Sequence, residues 1–174
     1  MRCFIGIDLP FEAIKKIQKI QKKLEPNFAG RLTSSENLHL TLKFLGKIED
    51  SVINDVKKRL FSIMHPPFES TLKDVGIFSQ KFIKIIWVKV SDVPLQPLVD
   101  NCLNEIFELE NRFMGHITIA RVKNLADKTS FLQLINVTTV NEVSFMVKDF
   151  CLKESILTSD GPVYKDIVRY KLSS

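Results

Sequence analysis

One short pattern occurs twice in this chain, and it constrains the fold more than any other feature. Asn37-Leu38-His39-Leu40-Thr41-Leu42 returns as Met114-Gly115-His116-Ile117-Thr118-Ile119. Along a β-strand, successive side chains point to opposite faces. In each copy a histidine and a threonine therefore share one face, while aliphatic residues anchor the other. Each copy follows a helix-containing stretch of similar size. This predicts two similar α+β lobes facing each other. No Ser/Gly-rich linker or low-complexity segment divides them, so residues 1–174 are expected to form a single bilobal domain.

The remaining periodicities fill in the lobes. Residues 2–9 read as an apolar strand ending at Pro10. Phe11, Ile14, Ile17, Ile20 and Leu24 then lie on one helical face over 11–24. Lys15, Lys16, Lys19, Lys22 and Lys23 fall on the opposite face, as a solvated surface or a basic flank for RNA phosphates. Pro26 to Gly30 reads as a turn, and 38–45 as a strand. A second amphipathic helix over 49–63 is broken by His65-Pro66-Pro67. Strands are expected near 70–78 and 82–90, and a helix from Pro94 to about Leu109. A strand over 115–122, a short helix near 126–134, and strands near 141–154 and 163–172 complete the chain.

Apolar residues make up 45% of the chain and charged residues 26%, an ordinary globular balance. No apolar run reaches the roughly 18 residues of a spanning helix. Asp8 comes too early for a signal-peptide core, so a cytoplasmic protein with no membrane association is expected. Cys3, Cys102 and Cys151 form no CxxC pair and read as reduced thiols. The net charge of +5 favours polyanionic partners.

Two of the three histidines sit in the repeated motif, and this directs attention to phosphate chemistry. Phosphodiester cleavage needs a base to activate the nucleophile and an acid to protonate the leaving oxygen. Imidazole does either near neutral pH. Threonine hydroxyls beside it can donate to non-bridging oxygens, where charge grows in the transition state. A catalytic zinc usually takes three protein ligands, and neither motif supplies a carboxylate as the third. No metal is therefore expected. No cofactor is expected either, since the chain has no GxxxxGK[ST] or GxGxxG loop. His65 lacks the pattern and reads as a loop residue.

With these residues in place, the chain resembles the RNA 2′,3′-cyclic phosphodiesterases, historically called 2′-5′ RNA ligases, of the two-histidine phosphoesterase superfamily. The resemblance starts at Arg2-Cys3-Phe4-Ile5-Gly6-Ile7-Asp8-Leu9-Pro10. It continues through Glu36-Asn37-Leu38-His39-Leu40-Thr41-Leu42-Lys43-Phe44-Leu45-Gly46, Gly76-Ile77-Phe78 and Ile86-Trp87-Val88. It then takes in His116-Ile117-Thr118-Ile119-Ala120-Arg121-Val122, Leu152-Lys153-Glu154-Ser155 and Gly161-Pro162-Val163-Tyr164. Many relatives carry Pro where this chain has Gly115.

The resemblance implies a bilobal α+β fold. Two antiparallel sheets, related by a pseudo-twofold axis, line a central cleft with helices outside. It implies metal-independent opening of RNA 2′,3′-cyclic phosphates to 2′-phosphates. His116 would activate water and His39 would protonate the departing 3′ oxygen. Thr41, Thr118 and Arg121 would hold phosphate. On a regular strand Arg121 falls on the Ile117 side, so a bulge must turn it inward. Lys43 shares the parity of His39 and is a further candidate phosphate contact. Arg31 is expected at the border of the cleft, and Phe11, Phe78 and Phe113 are candidates for base stacking or core. The expected partner is an RNA with a 2′,3′-cyclic phosphate end, tRNA halves among them, acted on by a monomer. The same residues leave two alternatives: a reversible 2′-5′ RNA ligase on tRNA halves, and a module that binds RNA ends without turnover.

Overall fold

The computed structural model describes residues 1–159 and 161–173. Nine strands form two antiparallel sheets among these residues. The first sheet holds β1 (Arg2–Asp8), β3 (His39–Lys47), β8 (Asp149–Thr158) and β9 (Gly161–Lys171), in the order β3-β1-β8-β9. The second holds β2 (Ala29–Leu32), β4 (Phe68–Ile77), β5 (Ile85–Ser91), β6 (His116–Asn124) and β7 (Thr139–Val147), in the order β2-β6-β5-β4-β7. The expected α+β architecture of two antiparallel sheets is the one observed.

Four helices cover the outer faces. These are α1 (Phe11–Leu24), α2 (Asp50–Phe61), α3 (Leu95–Cys102) and α4 (Lys128–Val137). Helix α1 follows β1 of the first sheet but packs on β6 and β7 of the second. Helix α3 follows β5 of the second sheet but packs on β3 of the first. Each lobe thus lends a helix to the other, and the buried apolar residues join into one cluster. Ile17, Ile20 and Leu24 bury the α1 face, as its spacing predicts, joined by Ala13, whereas Phe11 at the start of the helix is exposed.

The histidine strands are fixed from behind. Leu40, Leu42, Ile117 and Ile119 are essentially inaccessible to solvent. Burying an aliphatic side chain of this size contributes about 1.5–3 kcal/mol, so the four hold β3 and β6 firmly in register.

Three elements differ from expectation. Residues 29–32, which begin inside the expected Pro26–Gly30 turn and run past it, form the edge strand β2. Gly30 permits its close approach to β6, because a Cβ there would come within 2.2 Å of the Arg121 carbonyl oxygen. Helix α3 ends at Cys102 rather than near Leu109. The chain folds back so that Asp100 accepts the Glu110 N–H at 2.7 Å. The expected strand over 141–154 is two strands broken at Lys148, with β7 in one sheet and β8 in the other.

Candidate active site

Strands β3 and β6 show the same sequence of burial along their nine residues, and the cause is a bulge at the same place in each. Strand β1 pairs Ile5 with Lys43 and Gly6 with Thr41, leaving Leu42 as the extra residue. Strand β5 pairs Ile86 with Ala120 and Trp87 with Thr118, leaving Ile119 extra. An inserted residue shifts the alternation by one, so beyond it the faces exchange. Arg121 turns to the side of His116 and Thr118 and lines the cleft. Its required bulge is present.

The same device removes Lys43 from the cleft. Lys43 matches Ala120 in the repeat and is 7% exposed. Its ammonium pairs with Asp100 and donates to the Glu108 carbonyl oxygen at 2.6 Å. The expectation that Lys43 contacts phosphate is therefore corrected: unbroken alternation placed it beside His39, and the bulge places it in the core. Phe44 takes the cleft position instead.

The cleft has a volume of about 410 Å³ and is lined from both sheets. His39, Thr41, Phe4, Phe44 and Tyr164 come from the first; His116, Thr118, Arg121 and Arg31 come from the second. Its described lining includes three arginines, Arg2, Arg31 and Arg121, and no carboxylate. That donor set suits an anion. Arg31 stands directly across from Arg121 on β2.

Both imidazoles are oriented in the same way. His39 Nδ1 lies 2.7 Å from the Asn37 carbonyl oxygen, and His116 Nδ1 lies 2.8 Å from that of Met114. A carbonyl only accepts, so Nδ1–H is the donor in both rings. Nε2 is left as the position whose proton comes and goes. The Thr41 hydroxyl lies 3.0 Å from His39 Nε2. The His39 ring packs between Phe4 at 4.7 Å and the edge of Tyr164 at 5.0 Å. Burial holds its pKa below the ordinary value of 6.5, against the opposing effect of the Asn37 hydrogen bond. Burial likewise pushes the Tyr164 hydroxyl up, offset in part by Arg121.

The other candidates separate clearly. Arg31 lines the cleft; Phe11 and Phe113 do not. Phe78 lies outside the pocket but sets its ring edge-on to His116 at 5.0 Å. His65 binds the Pro66 carbonyl at 2.6 Å, far along the chain from either motif. Among the described residues, Asp8, Cys151 and Asp166 are the one cluster with metal-ligand spacing. Their carboxylates are engaged by Lys153 and Arg169, and neither motif histidine belongs to the cluster. Sequence reasoning missed Phe44 and Tyr164 as lining residues. Applying the Arg121 bulge to both copies of the repeat would have found Phe44.

Residues 7–87 match the family model of LigT-like phosphoesterases. An RNA 2′,3′-cyclic phosphodiesterase of Thermotoga maritima is 34% identical over 95% of this chain and 92% of its own length. One of Methanocaldococcus jannaschii is 31% identical over 96% of this chain and 98% of its own. Escherichia coli LigT, solved in complex with 3′-AMP, superposes with a TM-score of 0.78 at 25% identity, covering 99% of this chain and 98% of its own. The chain belongs to the LigT-like phosphoesterases, a family of hydrolases that includes the RNA 2′,3′-cyclic phosphodiesterases. No described helix is long and apolar enough to cross a membrane.

Proposed function

We propose that this enzyme opens the 2′,3′-cyclic phosphate at an RNA end to a 2′-phosphate, using His39 and His116 without a metal. The observation that carries this reading is the pair of Nδ1-anchored imidazoles in one arginine-lined cleft, with no carboxylate among its described lining residues. Water attacks phosphorus as one Nε2 removes its proton. The P–O3′ bond breaks as the other Nε2 protonates the departing 3′ oxygen, and the 2′ ester stays intact. Thr41, Thr118 and Arg121 donate to the non-bridging oxygens. For Thr41 this means turning its hydroxyl from His39 Nε2, 3.0 Å away, to the phosphate.

The depressed pKa of His39 favours the neutral ring. For His39 to act as the acid, the bound phosphate anion must draw a proton onto it. One chain's cleft holds all the proposed catalytic groups, so the proposed reaction needs no second copy. The three unpaired cysteines suit the reducing cytoplasm. RNAs of the tRNA-half type are proposed substrates because their cyclic ends carry the linkage the site fits.

The test is turnover of a 2′,3′-cyclic nucleotide in EDTA across a pH series. Activity persists in EDTA, and kcat/KM is bell-shaped, with limbs belonging to the coupled pair. Desolvation disfavours the imidazolium of His39, so a more acidic solution is needed to protonate it. The acid limb therefore falls below 6.5. Activity that vanishes in EDTA and returns only with added metal would overturn the mechanism. An acid limb at or above 6.5 would overturn the electrostatic account of His39.

Arg121→Ala tests the anion site. A hydrogen bond to a charged group contributes about 1.5–3 kcal/mol, so kcat/KM is expected to fall about 10- to 100-fold. An unchanged kcat/KM would remove Arg121 from the site.

A further inference from the structure

Beyond the pocket, the histidine-bearing face of the second sheet continues across β5 and β4. Trp87 stands opposite Thr118, and Lys89 opposite His116. Gly76 makes room for the Trp87 ring, since a Cβ there would come within 2.2 Å of it. Phe78, just past β4, touches both His116 and Trp87 yet remains 56% exposed. The loop from Phe78 to Lys84 then carries two lysines and no acid. Within it, Phe82 is 64% exposed, with Lys81 Nζ 5.4 Å from its ring centroid. Lys128 adds a third cation by donating to the Lys81 carbonyl oxygen at 3.3 Å. The neighbouring Asp127 carboxylate is turned back onto the N–H and hydroxyl of Ser130.

We propose that this shelf, from Phe78 to Phe82 and Lys84, binds the single-stranded RNA that leads into the pocket. The inference rests on reading the pocket as a site for an RNA end. A 2′,3′-cyclic phosphate occupies both hydroxyls of the last ribose. The strand can continue only through that nucleotide's 5′ oxygen, over surface outside the pocket. Exposed rings offer bases a stacking face, and interleaved lysines offer phosphates a counter-charge. The shelf has both, and Phe78 makes it continuous with His116. The other basic surface, on α1, lies behind the second sheet: that helix packs on β6 and β7 through Ala13, Ile17, Ile20 and Leu24, which belong to the core.

The experiment is fluorescence anisotropy with a labelled RNA of about ten nucleotides ending in a non-cyclic 2′-phosphate. The unsubstituted protein is compared with Lys81→Ala/Phe82→Ala/Lys84→Ala and with Lys16→Ala/Lys19→Ala on α1, which loses the same charge. The loop variant is expected to bind about tenfold more weakly. Its dependence of log K on log salt should be shallower by about 1.4, for two lost phosphate contacts on a single strand. The α1 variant should stay within about twofold, because nothing places that face on the RNA path. Phe82→Ala alone keeps the charge and still loses about fivefold, which decides the matter if the triple variant does not fold. Unchanged affinity in the loop variants, or an equal loss in the α1 variant, would overturn the shelf. Turnover of a cyclic mononucleotide by the unsubstituted protein tests the pocket separately, so a failure of the shelf is distinguishable from a failure of the pocket reading.

Discussion

His116→Ala lowers kcat for a 2′,3′-cyclic phosphate by about 10²–10⁴-fold, and His39→Ala does the same, with folding intact. The reason is geometric. Each ring is fixed through Nδ1 to a backbone carbonyl two residues earlier, and the strand beneath it is held by buried aliphatics. Removing a ring takes away a proton carrier without disturbing its platform, since both histidines are only half-buried at the cleft surface. The double variant should lose far less than the product of the single losses, because acid and base act as a unit. The measurement is steady-state kinetics on all three variants, with thermal melts alongside. A single variant that keeps more than about a tenth of the parent kcat would show that its histidine transfers no proton in the rate-limiting step.

Lys43→Met should cost about 3–5 kcal/mol of stability, because it strands the buried carboxylate of Asp100 without its partner. The loss is structural. Asp100 gathers Lys43, and it also holds the returning chain through the Glu110 N–H. The denaturant midpoint should fall with little change in slope, while KM under native conditions stays near that of the parent. Pairing the change with Asp100→Leu should recover much of the loss, since apolar replacement of a whole buried ion pair is often close to neutral. A raised KM with an unchanged midpoint would instead place Lys43 at the phosphate.

Lys43 also shows where sequence reading stops. The repeated motif made the two lobes, the paired histidines and the threonines legible, because alternation within six residues is a local property of a strand. The bulge is not local. It arises where β1 and β5 pair across Leu42 and Ile119, and nothing in the motif itself marks the extra residue. The chemistry of Arg121 demands it in the second copy, and nothing demands it in the equivalent stretch around Lys43. Lys148 was illegible for a similar reason. No glycine or proline interrupts residues 141–154, and only packing sends β7 and β8 into different sheets. In α3 the apolar spacing runs on past Cys102, but the convergence of Asp100 and the Glu108 carbonyl on Lys43 ends the helix. Residues 29–32 form a strand too short to show a period, admitted to the sheet edge by Gly30.

The most direct test of the two-histidine mechanism is phosphorus NMR of a short RNA ending in a 2′,3′-cyclic phosphate, incubated in EDTA with the parent protein and each histidine variant. The predicted result is a 2′-phosphate formed by the parent, and an unchanged cyclic end with His39→Ala and with His116→Ala. A 3′-phosphate product, or a 2′-phosphate formed at the parent rate by either variant, would contradict it.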